Sequence, residues 1–199
     1  AIQVMPNQGV FLILDEEPRE VKMPEQLKNP SLGLSPLSSV GPFEIRVPAN
    51  VSSTKDAPWP EGATVAMAQI DPQQDAGQSW GIGMAVGWAD GKYLQINART
   101  DGRWGIRKNG AELLEGQHLP HQAAVVALRL SETSVQLIAQ QQEGNWELIK
   151  EFPRAEFPGI PKTIRYGKIG QQWQGGNHSD PAGTTPCRVD WLKCFGPKS

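Results

Sequence analysis

The sequence has little net charge, few cysteines and no long apolar run. Its 199 residues carry a formal charge of −2 at pH 7, so the strongly basic surface that nucleic acids or anionic membranes attract is missing. No stretch of about 18 consecutive apolar residues occurs, which is the length of a membrane-spanning helix. We therefore expect neither a nucleic-acid partner nor insertion into a membrane.

Only two cysteines, Cys187 and Cys194, are available for disulfide or metal chemistry, and both lie in the predicted strand PCRVDWLKCFG. Seven residues of extended chain span roughly 23 Å, whereas a disulfide requires Cα atoms within about 7 Å of each other. We expect two unpaired cysteines, at least one of them buried. His118 and His121 lack a cysteine or carboxylate nearby in the sequence, so we expect no metal site and no cofactor. Calcium binding is an alternative, but the sequence contains no motif that supports it.

The sequence contains no basic, apolar leader and opens at Ala1. Its seven Trp, 17 Pro and 21 Gly are typical of an extracytoplasmic β-protein. We therefore expect a secreted or periplasmic location, which rests on protein class and on no signal in the chain.

The stretch 80–114 shows the strongest pattern in the chain. Apolar residues recur at every second position, which is typical of half-buried strands. The pattern is interrupted by three Asx-Gly pairs, which supply the positive φ angles of tight hairpin turns: Asp90-Gly91, Asp101-Gly102 and Asn109-Gly110. These features predict an antiparallel meander with Trp80, Trp88 and Trp104 on its core face.

Further strands are predicted along the rest of the chain, with no convincing helix. They cover 10–14, 43–47, 64–70, 123–130, 135–140, 146–152, 163–170 and 187–195, whereas 29–42 and 50–62 are predicted loops. Ten or eleven short strands with regular turns predict an all-β fold, a two-sheet antiparallel β-sandwich. We expect residues 1–199 to form a single domain, with 1–42 as an irregular N-terminal segment that packs on it.

Four segments together resemble a known superfamily: WGIGMAVGWADGKYLQINARTDGRWGI, ALRLSETSVQLIAQQQEGNWELI, IRYGKIG and PCRVDWLKCFG. They resemble the concanavalin A-like lectin/glucanase jelly roll, and within it the laminin-G-like or DUF1080-type domains of secreted bacterial proteins. The resemblance covers roughly residues 60–197 and rests on tryptophans, turn glycines and a last strand that ends in Phe-Gly. It implies a jelly roll, but this superfold hosts lectins, glucanases, adhesion modules and structural domains alike.

Glucanases of the resembled superfamily carry a Glu-x-Asp-x-Glu or Glu-x-Asp-x-x-Glu motif on one strand, and this sequence contains neither. A glycosidase holds its two carboxylates about 5 Å or about 6.5–9.5 Å apart. The acidic run Asp15-Glu16-Glu17 has the wrong spacing for this motif. The sequence therefore favours a protein that is not an enzyme.

The meander carries polar residues at the positions opposite its apolar face. We name them the polar strip, and its members are Tyr93, Gln95, Asn97, Arg99, Arg103 and Arg107. Because one face of each strand packs inward, we expect the strip to point outward. Amide, guanidinium and aromatic groups side by side suit the binding of sugars, and the alternative is an ordinary solvent-facing sheet surface.

A glycine-rich loop, 171–180, offers further candidate ligand residues, Trp173, Asn177 and His178. Loops at the end of a rigid sandwich commonly carry function, and the alternative is that the Trp173 ring packs over the edge of the core. The resulting hypothesis is a non-catalytic carbohydrate-binding module of a secreted or periplasmic protein, with a glycan or polysaccharide as partner. The alternatives are a structural or protein-interaction domain of a cell-surface system and a glycoside hydrolase relative with displaced carboxylates. The sequence gives no basis for predicting an oligomeric state.

Overall fold

The structure is a computed structural model that describes residues 29–141, 145–170 and 184–198, together with the backbone of 2–5, 10–13 and 19–22. This part of the chain contains a short 3-10 helix, Arg154–Glu156, and sixteen strands. The strands are β1 (Ile2–Met5), β2 (Val10–Ile13), β3 (Arg19–Lys22), β4 (Leu34–Val40), β5 (Phe43–Pro48), β6 (Ser53–Pro58), β7 (Val65–Asp71), β8 (Gly81–Gly87), β9 (Tyr93–Ala98), β10 (Trp104–Lys108), β11 (Ala111–Glu115), β12 (Ala124–Leu130), β13 (Ser134–Gln140), β14 (Glu147–Pro153), β15 (Thr163–Ile169) and β16 (Thr184–Pro197).

The strands form two large antiparallel sheets and one small one. The six-stranded sheet has the order β11-β10-β9-β8-β15-β6, and the seven-stranded sheet has the order β14-β13-β12-β7-β16-β4 with β5 also paired to β16. The small sheet has the order β1-β2-β3. The long strand β16 pairs with β7 on one side and with both β4 and β5 on the other, so it anchors two separate segments of the N-terminal half.

The core lies between the two large sheets and follows the alternation of the strands. Ile82 and Ile96 of the six-stranded sheet belong to the same buried cluster as Val126 and Leu137 of the seven-stranded sheet. Successive side chains of a strand point to opposite faces, and central strands such as β8 and β12 accordingly contribute every second residue to this cluster. The predicted two-sheet antiparallel β-sandwich is therefore confirmed.

The predicted meander is confirmed as β8 to β11, four consecutive strands that pair in order. Its turns use the predicted residues, because Gly91, Gly102 and Gly110 have φ angles of 85°, 82° and 93°. Trp88 and Trp104 are buried in the core as predicted. Trp80 is also buried, but its ring packs against Gly170, where an added Cβ would lie 1.6 Å from a ring carbon.

Two predicted loops are wrong, because 29–42 contains β4 and 50–62 contains β6. Both strands lie at the end of the described strand order in their sheets, and most of their residues are exposed or half-buried. A strand with one neighbour and little buried surface needs no apolar alternation and tolerates proline. The N-terminal segment is also not irregular, since β1, β2 and β3 pair with one another.

Cys187 and Cys194 are both buried and unpaired, as predicted. They lie on the core side of β16, and the extended strand between them keeps them apart. Within the described residues, no helix is long and apolar enough to cross a membrane.

Candidate functional site

The outer face of the six-stranded sheet, which points away from the core, carries rows of residues aligned by the strand register. One row crosses all six strands and consists of Glu112, Arg107, Gln95, Ala85, Arg165 and Asp56. The next row consists of Leu114, Gly105, Asn97, Gly83, Gly167 and Thr54. Amides and small residues therefore occupy the middle of these rows, and the charged residues lie towards the two ends of the first row.

The glycines of this face are required by the close approach of β9. A Cβ at Gly83 would lie 2.1 Å from the carbonyl oxygen of Ile96, and a Cβ at Gly105 would lie 2.9 Å from Asn97 Oδ1. A glycine inside a strand commonly marks such a close approach. The Asn97 side chain therefore fits against the sheet only because its cross-strand neighbours, Gly83 and Gly105, are glycines.

The prediction that the polar strip points to solvent is wrong for five of its six members. Gln95 is 1% exposed and Asn97 is 2% exposed, and the other buried members are Tyr93, Arg99 and Arg107. Only Arg103 is exposed, with 49% of its side chain accessible. Alternation correctly placed these residues opposite the core, but their hydrogen bonds and neighbours bury them on that side too.

Gln95 and Asn97, which we name the amide pair, bond to each other and to nearby backbone. Gln95 Nε2 donates to Asn97 Oδ1 at 3.0 Å and to the carbonyl of Gly170 at 3.3 Å. Asn97 Nδ2 donates to the carbonyls of Ala98 at 3.3 Å and Ser79 at 3.5 Å. Gln95 Oε1 is buried and has no partner among the described residues, which costs about 1–3 kcal/mol in a folded protein.

A network of three arginines and two carboxylates lies beside the amide pair. Arg99 donates to Asp101 through Nη2 and to Glu112 through Nη1, both at 3.0 Å. Arg107 contacts Glu112 at 3.3 Å and Arg103 contacts Asp101 at 2.6 Å. Hydrogen bonds from Arg99, and then from Arg103, hold the pKa of Asp101 well below its usual range despite the opposing effect of burial. Asp101 is therefore ionised at any physiological pH.

His118 locks the turn between β9 and β10. The backbone N–H of Arg99 donates to His118 Nε2 at 3.0 Å, and the His118 N–H donates to the carbonyl of Gly102 at 2.8 Å. The imidazole also packs on the Trp104 ring, with 4.6 Å between centroids. Burial lowers the pKa of His118, so the ring is neutral near pH 7 and serves as an acceptor. Sequence reasoning assigned this residue to a loop and gave it no role.

The two edges of the outer face carry carboxylates that are far apart. Asp56 of β6 bonds Arg165 at 2.8 Å and 3.1 Å, and Glu112 of β11 is held by Arg99 and Arg107. Five strand intervals separate β6 from β11, which corresponds to about 24 Å at 4.8 Å per interval. These two carboxylates therefore do not face each other across one sugar linkage.

Three predicted ligand residues, Trp173, Asn177 and His178, lie outside the described residues. Gly170, whose carbonyl accepts the bond from Gln95, is the last described residue before them. No group of three histidine, cysteine or carboxylate side chains that could hold a metal ion occurs in the described ranges.

Sequence reasoning missed a buried ion pair between Lys168 of β15 and Asp75. Lys168 Nζ lies 2.6 Å from Asp75 Oδ1, and the two side chains are 0% and 3% exposed. Lys168 occupies an inward position of β15, two residues after the core residue Tyr166. A lysine at an inward position of a predicted strand was the available signal.

Comparisons with known proteins identify the fold. No protein-family model matches the chain, and no curated protein matches it by sequence. Among solved structures, it is similar to a mutant of the GH43 protein BlXynB from Bacillus licheniformis, with a TM-score of 0.56 and 9% identity over 78% of this chain. The chain spans only 33% of that protein.

Two further solved structures match this chain over most of its length and over most of their own. A glycosyl hydrolase family 16 protein from Mycobacterium smegmatis has a TM-score of 0.51 and 13% identity over 77% of this chain and 74% of its own. The laminarinase catalytic domain from Thermotoga maritima has a TM-score of 0.52 and 11% identity over 82% of this chain and 81% of its own. At these identities the similarity concerns the fold, and the chain has the concanavalin A-like jelly-roll fold that its sequence segments predicted.

Proposed function

We propose that this chain is a non-catalytic carbohydrate-binding module whose ligand bonds to the amide pair. The solved structures of similar fold include a glycosyl hydrolase family 16 protein and a laminarinase catalytic domain, which suggests a carbohydrate as the ligand class. The observation that carries the proposal is the Oε1 atom of Gln95, which is buried and has no hydrogen-bond partner among the described residues. A buried acceptor without a donor is costly, and a sugar hydroxyl is a donor of the right kind.

The surroundings of Gln95 support this role. Asn97 holds the Gln95 amide in one orientation through their 3.0 Å bond, and ordered polar groups of this kind bind hydroxyls with little loss of entropy. Tyr93 and Arg107 border the pair on the same face. The predicted loop 171–180 follows Gly170 directly in the sequence, so we propose that Trp173, Asn177 and His178 complete the site, with the Trp173 ring stacked on the sugar. Since Gln95 is 1% exposed, the ligand must displace whatever covers it.

The carboxylates of this face support binding without hydrolysis. A glycosidase pairs a general acid of raised pKa with a second carboxylate less than about 10 Å away. Asp56 and Glu112 lie at opposite edges of the sheet. Asp101 approaches Glu112 through their shared partner Arg99, but the bonds from Arg99 and Arg103 lower its pKa, which is the wrong direction for a general acid.

The proposal is tested by screening the full chain on a glycan array and titrating the best ligands by calorimetry. Gln95→Met keeps the size of the side chain and removes its amide, so affinity should fall about tenfold for each 1.4 kcal/mol of lost interaction. The control is Gln122→Met, because Gln122 is an exposed glutamine in the loop before β12. Trp173→Ala should also weaken binding.

Absence of binding at millimolar sugar would refute the proposal and leave a structural or protein-interaction role. Equal affinities of folded Gln95→Met and the unchanged protein would refute the assigned site. Release of reducing sugar from a bound polysaccharide would instead revive the hydrolase alternative.

The proposed location is outside the cytoplasm, where a carbohydrate-binding module meets polysaccharides. This expectation is tested by fractionating cells that express the natural gene and detecting the protein by antibody. Recovery from the medium or periplasm supports it, and recovery from the cytoplasm alone contradicts it.

A further inference from the structure

The outer face of the seven-stranded sheet carries an apolar cluster of its own, on the opposite side of the molecule from the amide pair. Its fully covered members are Val65, Met67, Ala127 and Ile138, and the half-buried side chains packed against them include Trp146, Trp191 and Phe195. None of these residues belongs to the core between the sheets. Large half-buried aromatic side chains on an outer sheet face are a common mark of ligand or partner contact.

One row of this face has tryptophan at both ends and amides between them. Trp191 pairs with Gln69, Gln69 pairs with Val125, and Val125 pairs with Gln140. Trp146 precedes Glu147, whose partner Ala139 is next to Gln140. We name these five residues the tryptophan row. Four strand intervals separate β16 from β14, so the row is about 19 Å long at 4.8 Å per interval.

The amides of the row are available for binding. Gln69 and Gln140 are half-buried, and their side chains have no hydrogen-bond partner within the described residues. By contrast, Gln136 on the same face accepts from Arg129 and donates to Glu151, both at 2.6 Å. The sheet therefore supplies hydrogen-bond partners for the outward side chain of Gln136, and among the described residues it supplies none for those of Gln69 and Gln140.

The row is also uncharged, and the arginine beside it is paired with carboxylates. Arg188, next to the Trp191 end, bonds Asp190 at 2.6 Å and Asp71 at 3.3 Å. On the other side, Lys193 Nζ lies over the Trp191 ring, 4.4 Å from its centroid. An anionic ligand would find no unpaired cation among the five residues, whereas an uncharged ligand needs none.

We propose that the tryptophan row binds an extended, uncharged polysaccharide chain. The two indole rings offer flat apolar surfaces for sugar faces, and the two amides between them offer donors and acceptors for hydroxyls. Lys193 covers one face of the Trp191 ring in the free protein, so the chain displaces it on binding. The ligand class rests on the proposed function, but the surface, the residues and the sheet are different.

The test is affinity electrophoresis of the full chain in native gels containing laminarin, an uncharged glucan, or polygalacturonate, a charged polysaccharide. The double variant Trp146→Ala/Trp191→Ala should lose at least tenfold in affinity for laminarin. Gln69→Ala/Gln140→Ala should show a similar loss without removing a ring from the cluster. Lys193→Ala should bind more tightly because it uncovers the Trp191 ring. The matched control is Phe195→Ala, which removes a ring from the same cluster but outside the row.

The outcomes separate this site from the amide pair. If both double variants retain wild-type affinity for laminarin while Gln95→Met loses it, the tryptophan row is refuted and the proposed function stands. If the row variants lose affinity for laminarin and Gln95→Met does not, the tryptophan row is supported as the binding site and the amide pair is refuted. Preference for polygalacturonate, an equal loss in Phe195→Ala, or a changed oligomeric state in the row variants would each overturn the proposal. Failure of the unchanged protein to bind either polysaccharide overturns the tryptophan row, whereas the glycan array decides whether the amide pair binds a sugar.

Discussion

Replacing Lys168 with methionine should lower the free energy of unfolding by about 3–5 kcal/mol, because it leaves a buried carboxylate without its cation. Lys168 Nζ lies 2.6 Å from Asp75 Oδ1, and both side chains are almost inaccessible to solvent. The next acceptor of the ammonium is the carbonyl of Pro48 at 3.5 Å. The pair therefore compensates two charges that water does not reach.

The two single variants should lower the free energy of unfolding by different amounts, because Asp75 and Lys168 have different numbers of other hydrogen-bond partners. After Lys168→Met, Asp75 Oδ1 still accepts from the Gly77 N–H at 3.1 Å and from Thr185 Oγ1 at 3.4 Å. After Asp75→Leu, the long contact to the Pro48 carbonyl is the only one that the ammonium keeps among the described residues. Asp75→Leu should thus cost more than Lys168→Met. The double variant should recover most of the loss, since replacing a buried ion pair by apolar side chains is often neutral.

The measurement is urea-induced unfolding at pH 7, followed by tryptophan fluorescence and extrapolated to zero denaturant. The control is Lys108→Met, which breaks a 2.9 Å pair with Glu156 whose members are 34% and 42% exposed, and should cost about 0–1 kcal/mol. A loss below about 1 kcal/mol for Lys168→Met, equal to that of the surface control, would refute the reasoning from burial.

Three further predictions follow from single residues. Because burial lowers the pKa of His118, the unfolded chain binds a proton first as pH falls below about 6.5. Stability should therefore decline by up to about 1.4 kcal/mol per pH unit there, and His118→Gln should remove this slope in urea titrations at pH 5–7.5; identical slopes would contradict the prediction. Burial raises the pKa of Cys187 to about 12 and also raises that of Cys194, so neither thiol should react with a disulfide reagent at pH 8 until the protein is denatured. Rapid labelling of the folded protein would contradict this. Gly83→Ala places a Cβ 2.1 Å from a backbone oxygen and should cost about 1–3 kcal/mol, whereas Gly41→Ala, with no atom within 4 Å, should leave the melting temperature unchanged.

Much of the fold was predictable because the central strands carry strong local signals. Strand β8 alternates Ile82, Met84 and Val86 with small residues, and the turns after β8, β9 and β10 carry their Asx-Gly pairs. Strands β4 and β6 lack such signals, since an edge strand buries little and its residues are free to be polar or proline. The sequence of β4, LSPLSSV, looks like a loop for this reason. Its assignment depends on pairing with β16, which lies far away in the chain.

The candidate site was predictable in its residues but not in its environment. Gln95 and Asn97 were chosen because they alternate with core residues, and that placement holds. Their burial depends on neighbours such as Gly170, which is 75 positions from Gln95, and on the glycines that let β9 approach β8 and β10. The tryptophan row was equally hidden, because its five residues come from separate strands and meet only through sheet register.

By itself the sequence determined which residues of each central strand point to the core, because the two-residue period of a strand is a property of the local backbone. The same period predicted the strands of the meander, the Asx-Gly pairs predicted its turns, and the resemblance of four segments to a known superfamily implied the jelly-roll class. Only the tertiary structure decided what lies over the opposite faces. It buried five of the six residues of the polar strip, left the Gln69 and Gln140 side chains without a hydrogen-bond partner among the described residues, and joined Lys168 to Asp75 across 93 positions. Burial and partnership depend on chain segments that are distant in sequence, and no local pattern encodes which of them will meet.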